Sequence, residues 1–226
     1  MVLTMMPSGM WGSTETAWAD TSGMSEIRTA EEFAAMEAGG NYKLTADITV
    51  TAPYPSEFTG TFDGDGHTVT LAIDTPEKNY VGLFSKLGNN ATVKNLAVTG
   101  NVSGNEYVAG IAGENASGTI SSCKNMADIS ANGRYVGGIA GKNSGNINSS
   151  YNMGRVSSER SRSGVNLGGI VGFSSGTVTN CYNIGIILPT STTSNFAAIA
   201  GWLDGGIVTN SYYLEQSELV GTNFNG

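Results

Sequence analysis

From residue 80 onward the chain alternates short apolar segments with Gly- and Asn-rich segments. One apolar position, which precedes a pair of small residues in most copies, recurs at intervals of 28, 28, 31 and 29 residues. A second position is a single apolar residue between mostly polar neighbours, which is the pattern of a half-buried strand. With a third recurrent position, this predicts three strands per repeat. The positions are Leu83, Ile111, Ile139, Ile170 and Ile199; Val93, Ile120, Ile147, Val178 and Val208; and Val102, Ile129, Val156 and Ile187.

The repeat length predicts an all-β, right-handed parallel β-helix with about 28 residues per coil. One such unit has a single apolar face, so units must stack to bury it, at a strand spacing of roughly 4.8 Å. A propeller blade needs about 40–45 residues, and no window shows a helix in each repeat. The right-handed choice follows from the usual hand of parallel crossovers. We assign 46–79 to the first coils and 80–215 to the repeat coils.

Stacking places identical polar residues above one another. Asn125, Asn152 and Asn183 align, and their amides are predicted to hydrogen-bond along the stack. A second column contains Asn and Ser, and Asn tolerates the left-handed backbone of a sharp corner. That column is Asn95, Ser122, Ser149, Asn180 and Asn210.

The two cysteines, Cys123 and Cys181, share one column but lie two coils apart. Two coils correspond to roughly 9–10 Å, whereas a disulfide needs Cα atoms within about 7 Å. We therefore predict two free thiols that are buried as small packing residues.

The front of the chain differs from the repeats. Within residues 26–38 a short helix is predicted, which begins with a Thr29/Glu32 capping box and covers the first coil. Phe33 and Met36 give this helix an apolar side, and the GGN sequence from Gly39 ends it. We assign 20–45 to this N-terminal cap.

Charge and composition exclude several functions. The net charge is −8 with only 11 Lys and Arg residues, which argues against nucleic-acid binding. A single histidine, with no Cys/His spacing, predicts no zinc site, and no cofactor is expected. No segment reaches the roughly 20 apolar residues of a membrane span. Residues 1–19 end in Ala17-Trp18-Ala19, which we interpret as a signal-peptide remnant and an indication of export.

Several sequence pieces together resemble the GLUG-motif repeat family of bacterial secreted and cell-surface proteins. They are YKLTADI, FTGTFDGDGHTVT, YVGLF and the GGIAG…GTI…CYNxGxV units, and the resemblance covers roughly residues 26–215. It implies a parallel β-helix in exported, often multidomain proteins, where such repeats accompany adhesins and some secreted peptidases. The repeat itself implies no catalytic residues. Residues 216–226 are expected to be a tail or the start of a following segment.

Two clusters are candidates for chemistry or binding. Asp63 and Asp65 could bind calcium, or act as paired carboxylates with His67. Asp-Gly-Asp-Gly is also a favourable tight-turn sequence, and we prefer this turn interpretation. Tyr151, Tyr182 and Tyr212 form an aromatic column, which predicts either a glycan- or peptide-binding face or simple stacking at a coil edge.

The sequence therefore favours a non-enzymatic structural or adhesive module of a larger exported bacterial surface protein. Its partners would be surface glycans or proteins. The alternative is a carbohydrate- or glycoprotein-binding β-helix that uses the tyrosine column. A polysaccharide-active enzyme is disfavoured because the repeat columns contain Asn, Ser, Thr and Gly rather than clustered carboxylates.

Overall fold

The structure is a computed structural model that describes residues 23–159, 164–189 and 195–214. The predicted leader 1–19 and tail 216–226 lie outside these residues. The described residues form one short helix, α1 (Ala30–Ala34), and 27 strands. The strands are β1 (Ser25–Ile27), β2 (Asn41–Leu44), β3 (Ile48–Val50), β4 (Tyr54–Phe58), β5 (Thr61–Asp63), β6 (Thr68–Asp74), β7 (Phe84–Leu87), β8 (Thr92–Lys94), β9 (Ala97–Gly104), β10 (Ala112–Asn115), β11 (Thr119–Ser121), β12 (Lys124–Asn125), β13 (Asp128–Ala131), β14 (Val136–Gly137), β15 (Ala140–Asn143), β16 (Asn146–Asn148), β17 (Tyr151–Asn152), β18 (Val156–Ser158), β19 (Asn166–Gly168), β20 (Val171–Ser174), β21 (Thr177–Thr179), β22 (Tyr182–Asn183), β23 (Ile187–Leu188), β24 (Asn195–Ala197), β25 (Ala200–Leu203), β26 (Ile207–Thr209) and β27 (Tyr212–Tyr213).

The strands stack in parallel as a β-solenoid of about five turns with about 29 residues per turn, which confirms the predicted fold class. The first sheet has the order β1-β2-β5-β8-β11-β16-β21-β26, and the second has the order β4-β7-β10-β15-β20-β25. The third sheet contains β23-β18-β13-β9-β12-β17-β22-β27, with β6 paired to β9 and β3 paired to β6. A small fourth sheet, β14-β19-β24, lies at one corner.

Equivalent apolar residues lie one above another. The Ile111 amide donates to the Ile139 carbonyl at 3.3 Å, and the Ile139 amide donates to the Ile170 carbonyl at 2.9 Å. All three side chains are buried. The residues of the second column are in register too, with Ile120 beside Val93 and Ile147. The sequence period therefore equals one coil.

The later coils contain more strands than the predicted three. In the first half of the chain β9 runs unbroken, but in later coils the same stretch divides into two short strands at a corner. The Asn125 amide causes this break, because it donates to the Ala127 carbonyl at 3.0 Å and accepts from the Ala127 N–H at 3.2 Å. Asparagine side chains that bond to nearby backbone in this way favour turns over strand continuation.

The predicted asparagine ladder is present and buried. Asn125 Nδ2 donates to Asn152 Oδ1 at 2.7 Å, and Asn152 Nδ2 donates to Asn183 Oδ1 at 2.8 Å. A second buried ladder, which the sequence reasoning did not identify, joins Asn115 to Asn143 at 2.8 Å and Asn143 to Ser174 at 3.2 Å. Two internal ladders therefore fix the spacing of neighbouring coils at two corners.

The predicted left-handed corner is also confirmed. Five residues of one column have φ between 48° and 54°, in the left-handed region. Two of them are serines, so the corner geometry is set by the stack rather than by asparagine alone. These residues are Asn95, Ser122, Ser149, Asn180 and Asn210.

The helix is shorter than the predicted span of 26–38. It covers Ala30–Ala34, because Ser25–Ile27 forms β1 against β2 and Ala35 already caps the helix end. The capping box is present: Thr29 Oγ1 accepts from the Glu32 N–H, and Glu32 Oε2 accepts from the Thr29 N–H, both at 3.2 Å. The helix thus begins as predicted but ends four residues before the end of the predicted span.

Helix α1 places an aromatic side chain on the first coils. Phe33 is buried, and its ring centroid lies 5.8 Å from that of Phe62 and 5.7 Å from that of Phe84 in edge-to-face contacts. Met36 is also buried. The helix therefore covers the start of the solenoid core, where a stack of coils would otherwise expose apolar side chains.

Candidate functional site

The predicted tyrosine column lies on the outward side of the third sheet. Tyr151, Tyr182 and Tyr212 are in register across β17, β22 and β27. The alternation of each strand turns the tyrosine outward and the following residue, Asn152 or Asn183, into the buried ladder. The aromatic rings are therefore held at a spacing that buried hydrogen bonds set.

Tyr151 and Tyr182 form the stacked part of this column. Their ring centroids are 4.5 Å apart and the ring planes differ by 8°. Tyr182 is 40% exposed and Tyr212 is 71% exposed. Burial raises the pKa of Tyr182 above its ordinary value, and the neighbouring Tyr151 raises it further. The Tyr182 hydroxyl therefore stays a neutral hydrogen-bonding group at physiological pH.

A groove runs from Tyr151 towards the earlier coils. Lys124 occupies the tyrosine position of the preceding coil, beside Tyr151, as the sequence alignment of the repeats predicts. The groove has a volume of about 300 Å³. Its lining includes Gly66, Asn95, Ala97, Ser122, Lys124 and Tyr151. An aromatic ring beside a cation and polar side chains is a surface suited to a polar ligand with one apolar face.

An apolar column, which the sequence reasoning missed, lies two residues further along each strand of the same face. Equivalent backbone hydrogen bonds place its four members one above another. Their exposed fractions range from 37% to 61%. These residues are Met126, Met153, Ile184 and Leu214. The tyrosines and this column together are named the aromatic face. Exposed apolar residues that lie together in a column, rather than singly, are a feature of interaction sites.

A second tyrosine column lies where the fourth sheet and second sheet meet. Tyr80 stacks on Tyr107 with centroids 4.6 Å apart and planes 3° apart, and Tyr107 stacks on Tyr135 at 5.0 Å. All three have φ near 60°, a left-handed conformation that costs a bulky residue roughly 1–2 kcal/mol. The signal for this column is in the sequence, as a Tyr-Val pair repeated once per coil, but the tyrosine was not singled out there.

The Asp-Gly-Asp-Gly segment forms a turn. Asp63 accepts from the Asp65 N–H at 2.9 Å and from Asn95 Nδ2 at 3.0 Å, and it pairs with Lys94 at 3.1 Å. Burial raises the pKa of Asp63, but these hydrogen bonds and Lys94 outweigh burial and leave the pKa below its ordinary value. Asp65 instead pairs with Lys43 at 3.1 Å. The two carboxylates therefore each have a separate structural partner.

His67 does not join the two carboxylates, because its Nδ1 lies 3.2 Å from Asp47. In the part of the chain that the structure describes, no group of three or more His, Cys, Asp or Glu residues is arranged to hold a metal ion. The metal candidates Asp63 and Asp65 thus lie in a tight turn, and each carboxylate is paired with a lysine.

Both cysteines are free and buried. Burial raises the pKa of Cys123 to about 12, and it raises the pKa of Cys181 as well. A serine replaces cysteine in alternate coils: Ser150 Oγ accepts from the Cys123 N–H at 3.1 Å, and Ser211 Oγ accepts from the Cys181 N–H at 3.2 Å. Protonated, buried thiols are poor nucleophiles, and these two act as packing residues.

Comparisons with known proteins agree with this architecture. No protein-family model matches the chain. Halomucin from Haloquadratum walsbyi is 32% identical over 108 residues, which are 47% of this chain and 1% of Halomucin. The chain therefore spans a very small part of the length of that relative.

A crystal structure from Bacteroides ovatus, of a protein provisionally assigned as an immunoglobulin A1 protease, superposes with a TM-score of 0.61 at 20% identity. The match covers 86% of this chain and 76% of that chain. This likeness shows a shared β-helix fold. No helix among the described residues is long and apolar enough to cross a membrane.

Proposed function

We propose that the chain is a non-enzymatic structural and adhesive repeat module of a larger exported bacterial surface protein. The solenoid acts as a stiff spacer that displays the aromatic face to surface glycans or proteins. Its assignment to the GLUG-motif repeats belongs to this proposal, as does export through the segment 1–19. The similarity to part of Halomucin, whose name identifies it as a mucin, supports a surface location.

The observation that carries the proposal is the combination of a rigid interior and an exposed aromatic exterior on the same strands. Asn152 and Asn183 are buried and hydrogen-bonded to each other at 2.8 Å. Tyr151 and Tyr182, their immediate neighbours, stack at the surface at 4.5 Å. Because the rings lose little freedom on binding, such a face contacts a partner at low entropic cost.

Carbohydrate recognition is the more specific alternative for the same face. The groove beside Tyr151 and Lys124 favours it, since a sugar ring offers an apolar face for stacking and hydroxyls for polar side chains. The neighbouring methionine and isoleucine side chains favour a protein partner instead.

Binding of the full chain to an array of glycans and to immobilised surface glycoproteins tests both versions. Tyr182→Ala is expected to weaken binding roughly two- to twelvefold, the loss expected for one aromatic contact. Tyr213→Ala is the matched control, because Tyr213 is 50% exposed but belongs to neither tyrosine column. Equal binding by wild type and Tyr182→Ala, or no binding to any partner, would remove the aromatic face from the proposal.

The non-enzymatic part has its own test. The full chain is incubated with acidic and neutral polysaccharides, and new reducing or unsaturated ends are measured. We expect none above the level of a heat-denatured sample. Turnover that Asp63→Asn abolishes, while circular dichroism shows intact folding, would contradict a purely structural role.

A further inference from the structure

The Tyr80–Tyr107–Tyr135 column ends at Tyr80, and a pocket opens there. Tyr107 covers one face of the Tyr80 ring at 4.6 Å, yet Tyr80 remains 39% exposed. In the preceding coil the corresponding corner is the segment Thr51–Pro53, because Tyr54 pairs with Phe84. No aromatic ring of that segment continues the stack.

The pocket has a volume of about 530 Å³, within the range of small-molecule sites. Part of its wall is apolar, from the prolines of the preceding coil and from helix α1. Its lining includes Ala34, Thr51, Pro53, Lys78, Asn79 and Tyr80. The pocket lies at the end of the tyrosine stack, and the coil spacing of roughly 4.8 Å sets where a further ring of that stack would lie.

Two polar side chains that line the pocket have hydrogen-bond donors with no partner among the described residues. Asn79 Oδ1 accepts from Asn105 Nδ2 at 2.9 Å and from the Glu106 N–H at 3.2 Å, which orients the Asn79 amide and leaves its Nδ2 to donate. Lys78 forms no ion pair with any described residue, whereas Lys86 pairs with Glu57 at 3.1 Å. A lysine without an ion pair among the described residues, in the same pocket lining as an aromatic ring, favours an anionic ligand.

We propose that this pocket binds a pyranose ring that bears a carboxylate, such as a hexuronic acid. The apolar face of the sugar stacks on the free face of Tyr80, in the place of the next ring of the column. The carboxylate binds the Lys78 ammonium, and a ring hydroxyl accepts from Asn79 Nδ2. This site is separate from the aromatic face, so the proposal for the pocket does not depend on the proposed function of that face.

The test titrates the full chain with three probes by NMR: methyl glucuronide, methyl glucoside and phenylacetate. Methyl glucuronide is expected to bind at least fivefold more tightly than methyl glucoside. Phenylacetate carries the carboxylate on an aromatic ring, and tighter binding of phenylacetate than of glucuronide would overturn the sugar assignment. Absence of saturable shifts with all three probes would overturn the site itself.

Three variants assign the contacts. Tyr80→Ala is expected to reduce glucuronide affinity at least tenfold, whereas Tyr80→Phe retains it because the stacking surface is kept. Lys78→Gln is expected to abolish the preference for glucuronide over glucoside but not the binding of glucoside. Tyr213→Ala serves as the control, with folding of each variant checked by circular dichroism. Unchanged glucuronide affinity in Tyr80→Ala or in Lys78→Gln would contradict the assigned role of that residue.

Discussion

Asn152→Ala removes the centre of the buried asparagine ladder. Asn152 accepts from Asn125 at 2.7 Å, donates to Asn183 at 2.8 Å, donates to the Gly154 carbonyl at 2.9 Å and accepts from the Gly154 N–H at 3.2 Å. The side chain is fully buried, so water cannot replace these bonds. With four bonds of about 1 kcal/mol each, the free energy of unfolding should fall by about 4 kcal/mol.

Asn146→Ala is the matched control, because Asn146 lies in the same coil with an exposed side chain. It should change stability by less than about 0.5 kcal/mol. Urea unfolding of both variants, followed by circular dichroism, gives the midpoints and slopes that convert into free energies. If the two variants unfold at the same urea concentration, the ladder does not hold the coils together as described.

Three further predictions concern packing. Burial raises the pKa of the Cys123 thiol to about 12 in the folded state. The stability that depends on a neutral thiol is therefore complete below about pH 8.5, the ordinary pKa of the unfolded thiol, and is lost as the pH rises toward 12. Cys123→Ser should make the urea midpoint of unfolding decline less over this pH range. Gly138→Ala should destabilise the fold, because a Cβ at this position would lie 2.5 Å from Asn152 Oδ1. Gly39→Ala is the control: the atom nearest to its Cβ would be 3.6 Å away, so the free energy of unfolding should hardly change in the same assay. Phe33→Ala should cost about 3–5 kcal/mol, since Phe33 is 1% exposed among aromatic rings, and an unchanged thermal midpoint would show that α1 does not cover the core.

The sequence predicted the features that repeat once per coil. Ile111, Ile139 and Ile170 recur at the interval that brings them into register, and Asn125 aligns with Asn152 in the sequence as in the structure. Regular stacking makes such predictions possible, because residues that occupy the same position of the repeat come into register in neighbouring coils.

Features that depend on the local conformation of one segment, and not on the repeat, were not predicted. The end of α1 was misplaced because Ala35 already caps the helix. At the front of the predicted span, residues 26 and 27 belong to β1, which pairs with β2, and helix propensity does not reveal that pairing. The tyrosines at 80, 107 and 135 were overlooked because bulky residues rarely adopt positive φ, so no sequence rule places them at a corner. The pocket at Tyr80 arises where the first coils depart from the repeat, and it has no periodic signal.

Distances between paired spin labels test the stacking of coils most directly. Thr61 and Ile207 belong to one column and are separated by five coil steps, through Thr92, Thr119, Asn146 and Thr177. Labels on cysteines at 61 and 177, and at 61 and 207, in a background with both native cysteines changed to serine, should lie roughly 19 Å and 24 Å apart by electron spin resonance. An increase of about 5 Å from the first pair to the second is the predicted result, and a second pair that is closer than the first would contradict the parallel ladder.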